Sequence, residues 1–342
     1  MEHYTYNNRF VLESGAELPR LDVAYHTFGC LNSERDNVIW VCHALTANSD
    51  VADWWPNTVV KDGFLDPDKY FIICANILGS HYGTTGPLSI NPLTETPYYD
   101  RFPQMTVRDM VQVHRLLAAH LGIRKVKLLI GSSLGGFQCM EWGIVDPDFA
   151  ERVALIATTP VSKPWAVAFN ESQRMAIEAD STYGDDSPQA GAKGLAAARS
   201  IALLSYRGAS AYDLTQADNG AETDPADPFR RKVQTYQQHQ GDKLCNRFNA
   251  YSYYRLSRAV DSHDIARGRG GDIDAVLRNF KSKTLVVAIT SDILFPPKDH
   301  EPFVRSIPDV EYHLIDSDFG HDGFLIEYKK LTGIITQFIN KQ

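Results

Sequence analysis

The stretch Lys127–Trp142, KLLIGSSLGGFQCMEW, restricts the fold of this chain more than any other segment. An apolar run meets two serines, then two glycines, then a helical pattern. Gly131-Ser132-Ser133-Leu134-Gly135 fits G-x-S-x-G, and Gly136 follows. A strand before the motif and a helix after it are the context of a nucleophile elbow. So sharp a turn needs small residues two positions either side of the serine, whose own backbone is strained. Its hydroxyl then projects from the sheet edge, and the next backbone N–H points the same way. Ser133 is in frame. Ser132 is not, because Ile130 and Leu134 would fill the small positions. The competing reading is a plain strand–turn–helix junction with a capping serine; the flanks and Gly136 favour the elbow.

The rest of the chain supplies a sheet for such a turn. RFVLES, RLDVAYHTFG, NVIWVCHAL and YFIICANILG read as strands rich in β-branched and aromatic residues. Residues 38–42 are almost wholly apolar, as in a strand covered on both faces. Residues 106–122 predict a helix: Met110, Val113, Leu116, Leu117 and Leu121 recur at helical spacing, and Gly122 suits its end. A strand at 125–131, a helix from Leu134 and a strand at 152–158 follow. Strands separated by helices imply a parallel sheet. From 161 to 280 the rhythm changes to helices and loops, punctuated by YGDDSPQAG, TDPADPF and RGRGG. Strands return at 283–292 and 311–316, and 322–341 predicts one amphipathic helix with Phe324, Tyr328, Leu331, Ile335 and Phe338 on one face. The expected fold is therefore α/β of the α/β-hydrolase type. A mostly parallel sheet carries helices on both faces, with a core at 1–160 and 281–342 and a helical lid inserted at 161–280.

The formal net charge of −8 argues against nucleic acid or an anionic membrane as the main partner. No apolar run reaches the length of a membrane span, and the N-terminus lacks a secretory layout. Five scattered cysteines include no C-x-x-C pair, so neither a disulfide framework nor a metal site is expected. Cys42, Cys74 and Cys139 lie in apolar runs and read as buried hydrophobes. The expected setting is cytoplasmic.

A serine needs a base, and the base needs an orienting acid. In this fold the chain order is Ser, then Asp or Glu, then His. Asp292 ends the strand TLVVAITSD, and His321 follows EYHLID in the loop before the last helix. His321 would relay the Ser133 proton, and Asp292 would hold its tautomer. His43, His300 and His313 are weaker bases by position: a strand end, the opening of a surface helix, and mid-strand. Asp299 is the rival acid and reads as a helix-terminus charge. The oxyanion donors would be the N–H groups of Leu134 and, from the loop CHALTANS, of Leu45.

Acyl chemistry through a serine ester leaves the acceptor open: water or an alcohol. The chain resembles the homoserine O-acetyltransferase family of α/β-hydrolase-fold enzymes. The likeness runs through VCHALT, GTTGPLSINP, FPQMTVRDMV, GSSLGGFQCMEW, SYRG, FNAYSYYRLSRAVDSHD, SDILFPP and GHDGFL. It implies ping-pong transfer of an acetyl group from acetyl-CoA, as co-substrate with no permanent cofactor, to the hydroxyl of L-homoserine in methionine biosynthesis. It also implies that Arg207 grips the homoserine carboxylate, that Asp322 binds the ammonium, and that the lid builds a homodimer. Tyr206 and RAVDSHD are expected near the same cleft. Ser132, Phe137 and the short ANSDVADWW loop depart from the family pattern near the acyl pocket. Succinyl transfer, a serine acceptor and ester hydrolysis with the same three residues therefore remain open.

Overall fold

The computed structural model describes residues 1–218, 229 and 231–341. Its main sheet has eight strands: β1 (Glu2–Tyr6), β2 (Leu21–Phe28), β3 (Val38–Cys42), β4 (Phe71–Ala75), β5 (Val126–Ser132), β6 (Ala150–Ile156), β7 (Lys283–Ile289) and β8 (Val310–Ile315). They lie in the order β1-β2-β4-β3-β5-β6-β7-β8. The six strands β3–β8 pair in parallel, whereas β1 with β2 and β2 with β4 are antiparallel.

Strand β3 shows why the sheet forms. All five residues of VIWVC are buried. The pleat sends Val38, Trp40 and Cys42 into one core layer and Ile39 and Val41 into the other. A strand with helices on both faces has no side left for a polar residue. The N-terminus holds one strand that the sequence pattern does not mark and one expectation that needs correction. EHYTY forms edge strand β1, anchored where the Tyr25 and Thr27 hydroxyls donate to the Glu2 carboxylate. RFVLES contributes only Phe10–Val11, paired with Glu17–Leu18 in a separate hairpin.

Helix α1 (Val107–His120) opens with a capping box, in which Thr106 and Asp109 satisfy each other's backbone N–H. Gly122 ends it at φ +66°. Helix α2 (Leu134–Val145) starts directly after Ser133 and is buried on nearly every side. The inserted segment holds α3 (Pro164–Glu178), α4 (Ala192–Tyr206), α5 (Ala209–Gln216), α6 (Lys232–Cys245) and α7 (Ala250–Asp261). Helix α4 packs against both α3 and α6. A bridge joins Val161, at the start of the segment, to Asp264, just after α7. The turn expected at TDPADPF lies, but for Phe229, outside the described residues.

An ion cluster fastens the far end of the insertion. The Arg269 guanidinium forks onto Glu141 of α2, Arg267 grips Glu13, and Arg108 reaches both carboxylates. Beyond β7 comes α8 (Pro297–Val304). The terminal helix is broken where one continuous helix was expected. A 3-10 turn at Gly320–Asp322 and a short helix at Gly323–Ile326 precede α9 (Tyr328–Asn340), with Glu327 at the break. Phe324, Leu331, Ile335 and Phe338 all reach the core, and Tyr328 stays half-buried. No helix among the described residues is long and apolar enough to cross a membrane. Cys42, Cys74 and Cys139 are buried free thiols.

Candidate active site

Ser133 sits between β5 and α2 with φ +55° and ψ −124°. A non-glycine residue holds such a left-handed backbone only where its surroundings enforce it. The surroundings are specific. The Ser133 N–H donates to the Ile156 carbonyl at 2.9 Å, and the Thr158 hydroxyl donates to the Ser133 carbonyl at 3.0 Å. A Cβ on Gly131 would strike the Gly135 backbone, and one on Gly135 would strike the Cys42 carbonyl. On Gly136 it would lie 2.5 Å from a Thr158 methyl. The small residues of the motif are thus dictated by close neighbours, backbone at Gly131 and Gly135 and the Thr158 side chain at Gly136. Ser133 is half-buried, while the Ser132 hydroxyl is buried with no partner among the described residues.

A cleft of about 400 Å³ opens above the serine. Ser133, His321 and Asp322 lie on its wall with Ala44, Leu45 and Thr46 from the loop after β3. Arg199 and Tyr206 of α4 and Lys243 of α6 contribute from the inserted helices, as does Arg247. A larger hollow of about 630 Å³ at the end of α1, bounded by Gln112, Arg124, Trp142 and Asp146, holds neither Ser133 nor His321.

Asp292 and His321 form a buried pair, with Nδ1 of the imidazole 2.7 Å from the carboxylate. The other Asp292 oxygen accepts from the N–H groups of Leu294 and Phe295 at 2.8 and 2.9 Å. The acid is therefore held by backbone, and it holds the ring in turn. Phe295 and Phe324 stand edge-on to that ring. Burial alone would pull the imidazole pKa down, but the Asp292 charge and hydrogen bond, with the Asp322 charge, carry it above its ordinary value. Among the described residues no hydrogen bond joins Ser133 to His321; what they share is the cleft.

The backbone N–H groups of Leu45 and Leu134 have no hydrogen-bond partner among the described residues. For Leu134 that is the normal state of a first helical residue. Asp322 accepts from Nε of Arg207 at 3.3 Å. Burial raises its carboxyl pKa, against the opposing charges of Arg199, Arg207 and His321. Arg207 itself lies over the Tyr236 ring and stands beside the cleft residue Asp322, to which it donates. Among the described residues three cations stand on the wall: Lys243, Arg247, which is held by the Thr46 carbonyl and the Tyr82 hydroxyl, and Arg199, which stacks over Tyr206. Nothing in the sequence marks Arg199, one of two cations in an alanine-rich helix; only its place seven residues before Tyr206 hints at a shared face.

The remaining sequence candidates fall elsewhere. His43 is buried with both ring nitrogens engaged, and burial lowers its pKa to about 4. His300, expected on a surface helix, is fully buried in α8 because its ring packs on Phe303. His313 is partly exposed on β8 beside Glu311. Asp299 pairs with Lys163 at 2.6 Å. Tyr206 does line the cleft, with its ring centroid 5.9 Å from that of His321. The RAVDSHD stretch does not. Its Asp261 pairs with Arg174, and its His263 stacks on Phe137 at 3.9 Å. No cluster among the described residues could hold a metal ion.

Known proteins share this architecture. Residues 37–328 match the family described as the alpha/beta hydrolase fold. A homoserine O-acetyltransferase of Cyclobacterium marinum is 46% identical over 96% of this chain and 92% of its own. One from Chlorobium chlorochromatii is 42% identical over 99% of this chain and 95% of its own. The crystal structure of homoserine O-acetyltransferase from Bacillus anthracis superposes with a TM-score of 0.91 at 25% identity, covering 100% of this chain and 97% of that one. The chain belongs to the homoserine O-acetyltransferase family of α/β-hydrolase-fold proteins.

Proposed function

We propose that this enzyme moves an acetyl group from acetyl-CoA to the hydroxyl of L-homoserine through an acetyl-Ser133 intermediate. The observation that carries the mechanism is the backbone-anchored Asp292–His321 pair on the same cleft wall as a serine held at φ +55°. The acceptor and donor rest on kinship with the homoserine O-acetyltransferases.

In the first half-reaction His321 Nε2 takes the Ser133 proton as Oγ attacks the thioester carbon. Negative charge collects on the carbonyl oxygen, where the free N–H groups of Leu45 and Leu134 stabilise it. The C–S bond then breaks, the coenzyme thiol leaves with the proton from His321, and acetyl-Ser133 remains. In the second half-reaction His321 takes the proton of the homoserine hydroxyl, whose oxygen attacks the serine ester. Collapse returns the proton to Ser133 and releases O-acetylhomoserine. Asp292 offsets the imidazolium charge in both halves.

A zwitterionic acceptor needs a cation and an anion at fixed separation. Asp322 meets its ammonium. Arg199, on the wall, meets its carboxylate, and Arg207 backs Asp322 rather than taking the carboxylate itself. The inserted helices cover the acetyl-enzyme against water. The same helices are the expected face of a homodimer, and the setting is the cytoplasm.

The test is a donor–acceptor matrix of acetyl-CoA and succinyl-CoA against homoserine, serine and water. The reading expects homoserine-dependent thiol release from acetyl-CoA. Equal release with water alone would make the enzyme an esterase or thioesterase and overturn the transferase reading.

A further inference from the structure

Gln138 lies one turn into α2 with no exposure, and all its polar capacity is directed at the cleft's supports. Its Nε2 donates to the His43 carbonyl at 3.2 Å and to the Leu134 carbonyl at 3.1 Å. Its Oε1 lies 2.8 Å from Nε2 of His114. Two carbonyls on one side require the NH₂ group there, so the amide has a single workable orientation. Oε1 can only accept, so His114 Nε2 carries the hydrogen. Its Nδ1 has no partner among the described residues. Burial lowers the His114 pKa to about 4, which keeps the ring neutral. The ring is clamped parallel to Trp142 and edge-on to Trp40.

The two carbonyls that Gln138 joins flank the two free N–H groups. The His43 carbonyl belongs to the peptide just before the one bearing the Leu45 N–H. That next peptide is fixed as well, because His43 Nδ1 donates to the Ala44 carbonyl at 2.8 Å while its Nε2 accepts from the Ile77 N–H at 3.1 Å. In a trans peptide the C=O and N–H point oppositely, so drawing the Ala44 carbonyl toward the ring turns the Leu45 N–H away from it. The Leu134 carbonyl belongs to the residue whose N–H is the second donor. Gly135 lets the loop and the helix approach closely enough for one side chain to span them.

We propose that Gln138 is a positioning residue of the oxyanion hole: its amide, oriented by His114, fixes the distance between the Leu45 and Leu134 donors. The proposal rests on the reading of Ser133 as nucleophile but not on the identity of the acceptor. Oxyanion donors act within a few tenths of an ångström of about 2.7–3.1 Å, so loosening one of them lowers transition-state binding without altering ground-state binding.

The test is Gln138→Met, which keeps the length and removes the hydrogen bonds. Its kcat should fall roughly tenfold to a hundredfold, on acetyl-CoA with homoserine and on a simple acetyl ester alike, with KM unchanged. Affinity for an alkyl boronic acid, which forms a tetrahedral adduct with Ser133, should fall by the same factor. The pH limb belonging to His321 should stay in place. His114→Phe keeps the aromatic stacking, loses the orienting N–H, and should show the same split with a smaller fall. It also carries the test if Gln138→Met fails to fold in a thermal melt. A folded Gln138→Met enzyme with wild-type kcat and boronate affinity overturns the proposal, as does a loss confined to KM. A wild type that neither cleaves esters nor binds the boronate overturns the Ser133 reading itself, and this proposal with it.

Discussion

Replacing Asp292 with Asn removes a charge and reverses a hydrogen bond while changing almost no volume. The carboxylate lies 2.7 Å from Nδ1 of His321, and both side chains are buried. At an effective dielectric of about 20, unit charges at that distance attract by roughly 6 kcal/mol. That interaction exists in full only when the imidazole is protonated, as in the tetrahedral state. The Asn NH₂ would also face Nδ1 and favour the wrong tautomer. A loss of about 4–5 kcal/mol from the barrier fits within the available attraction and corresponds to a fall of roughly 10³–10⁴ in kcat. The pH profile gives a second reading. His321 must be neutral to act, so acylation rises with pH through its raised pKa. Without Asp292, burial dominates and the limb moves to lower pH. The sign for stability agrees: a raised folded pKa means the pair stabilises fully below the unfolded value of about 6.5, with the benefit lost as pH rises through the folded value. The variant should lose more stability at pH 6 than at pH 9. Single-turnover acylation across pH, with denaturant melts at both values, is the assay. Less than a tenfold loss with an unmoved limb would refute the reasoning.

Gly135→Ala places a Cβ 2.9 Å from the Cys42 carbonyl carbon and closer still to its oxygen. Overpacking of that kind costs about 1–3 kcal/mol, and the elbow should lose activity further than the melt loses stability, as paired kcat and thermal measurements would show. Arg199→Ala should raise the KM for homoserine about tenfold to a hundredfold, the value of a charge-assisted contact, while leaving acceptor-free acylation by acetyl-CoA intact. Arg269→Ala leaves the Glu141 carboxylate, which is 2% exposed, with only the 3.5 Å contact to Arg108, and should cost about 1.5–3 kcal/mol in a urea titration.

Much of this architecture is written locally. The elbow is legible because its glycines answer to contacts made within the motif and with the ends of the two neighbouring strands, the Cys42 carbonyl and the Thr158 side chain. Asp292 and His321 are legible because strand ends set loop positions and the fold sets chain order. Edge strand β1 is not legible, since EHYTY alternates exposed and half-buried residues and its pairing is with distant β2. The break at Glu327 hides behind an apolar stripe that remains continuous on both sides of it. Arg199 is hidden for a different reason. Which arginine faces the cleft depends on how α4 is rotated against α3 and α6, a tertiary packing outcome with no local signature. His43 and His114 are likewise structural partners in a network that chain order cannot reveal.

Intact-protein mass spectrometry of enzyme mixed rapidly with acetyl-CoA, in the absence of homoserine, interrogates Ser133 most directly. The account predicts one added acetyl group per chain, located on the peptide containing Ser133, that disappears when homoserine is added and never forms in Ser133→Ala. Transfer to homoserine that persists in Ser133→Ala, or acetyl bound to any other side chain, would contradict it.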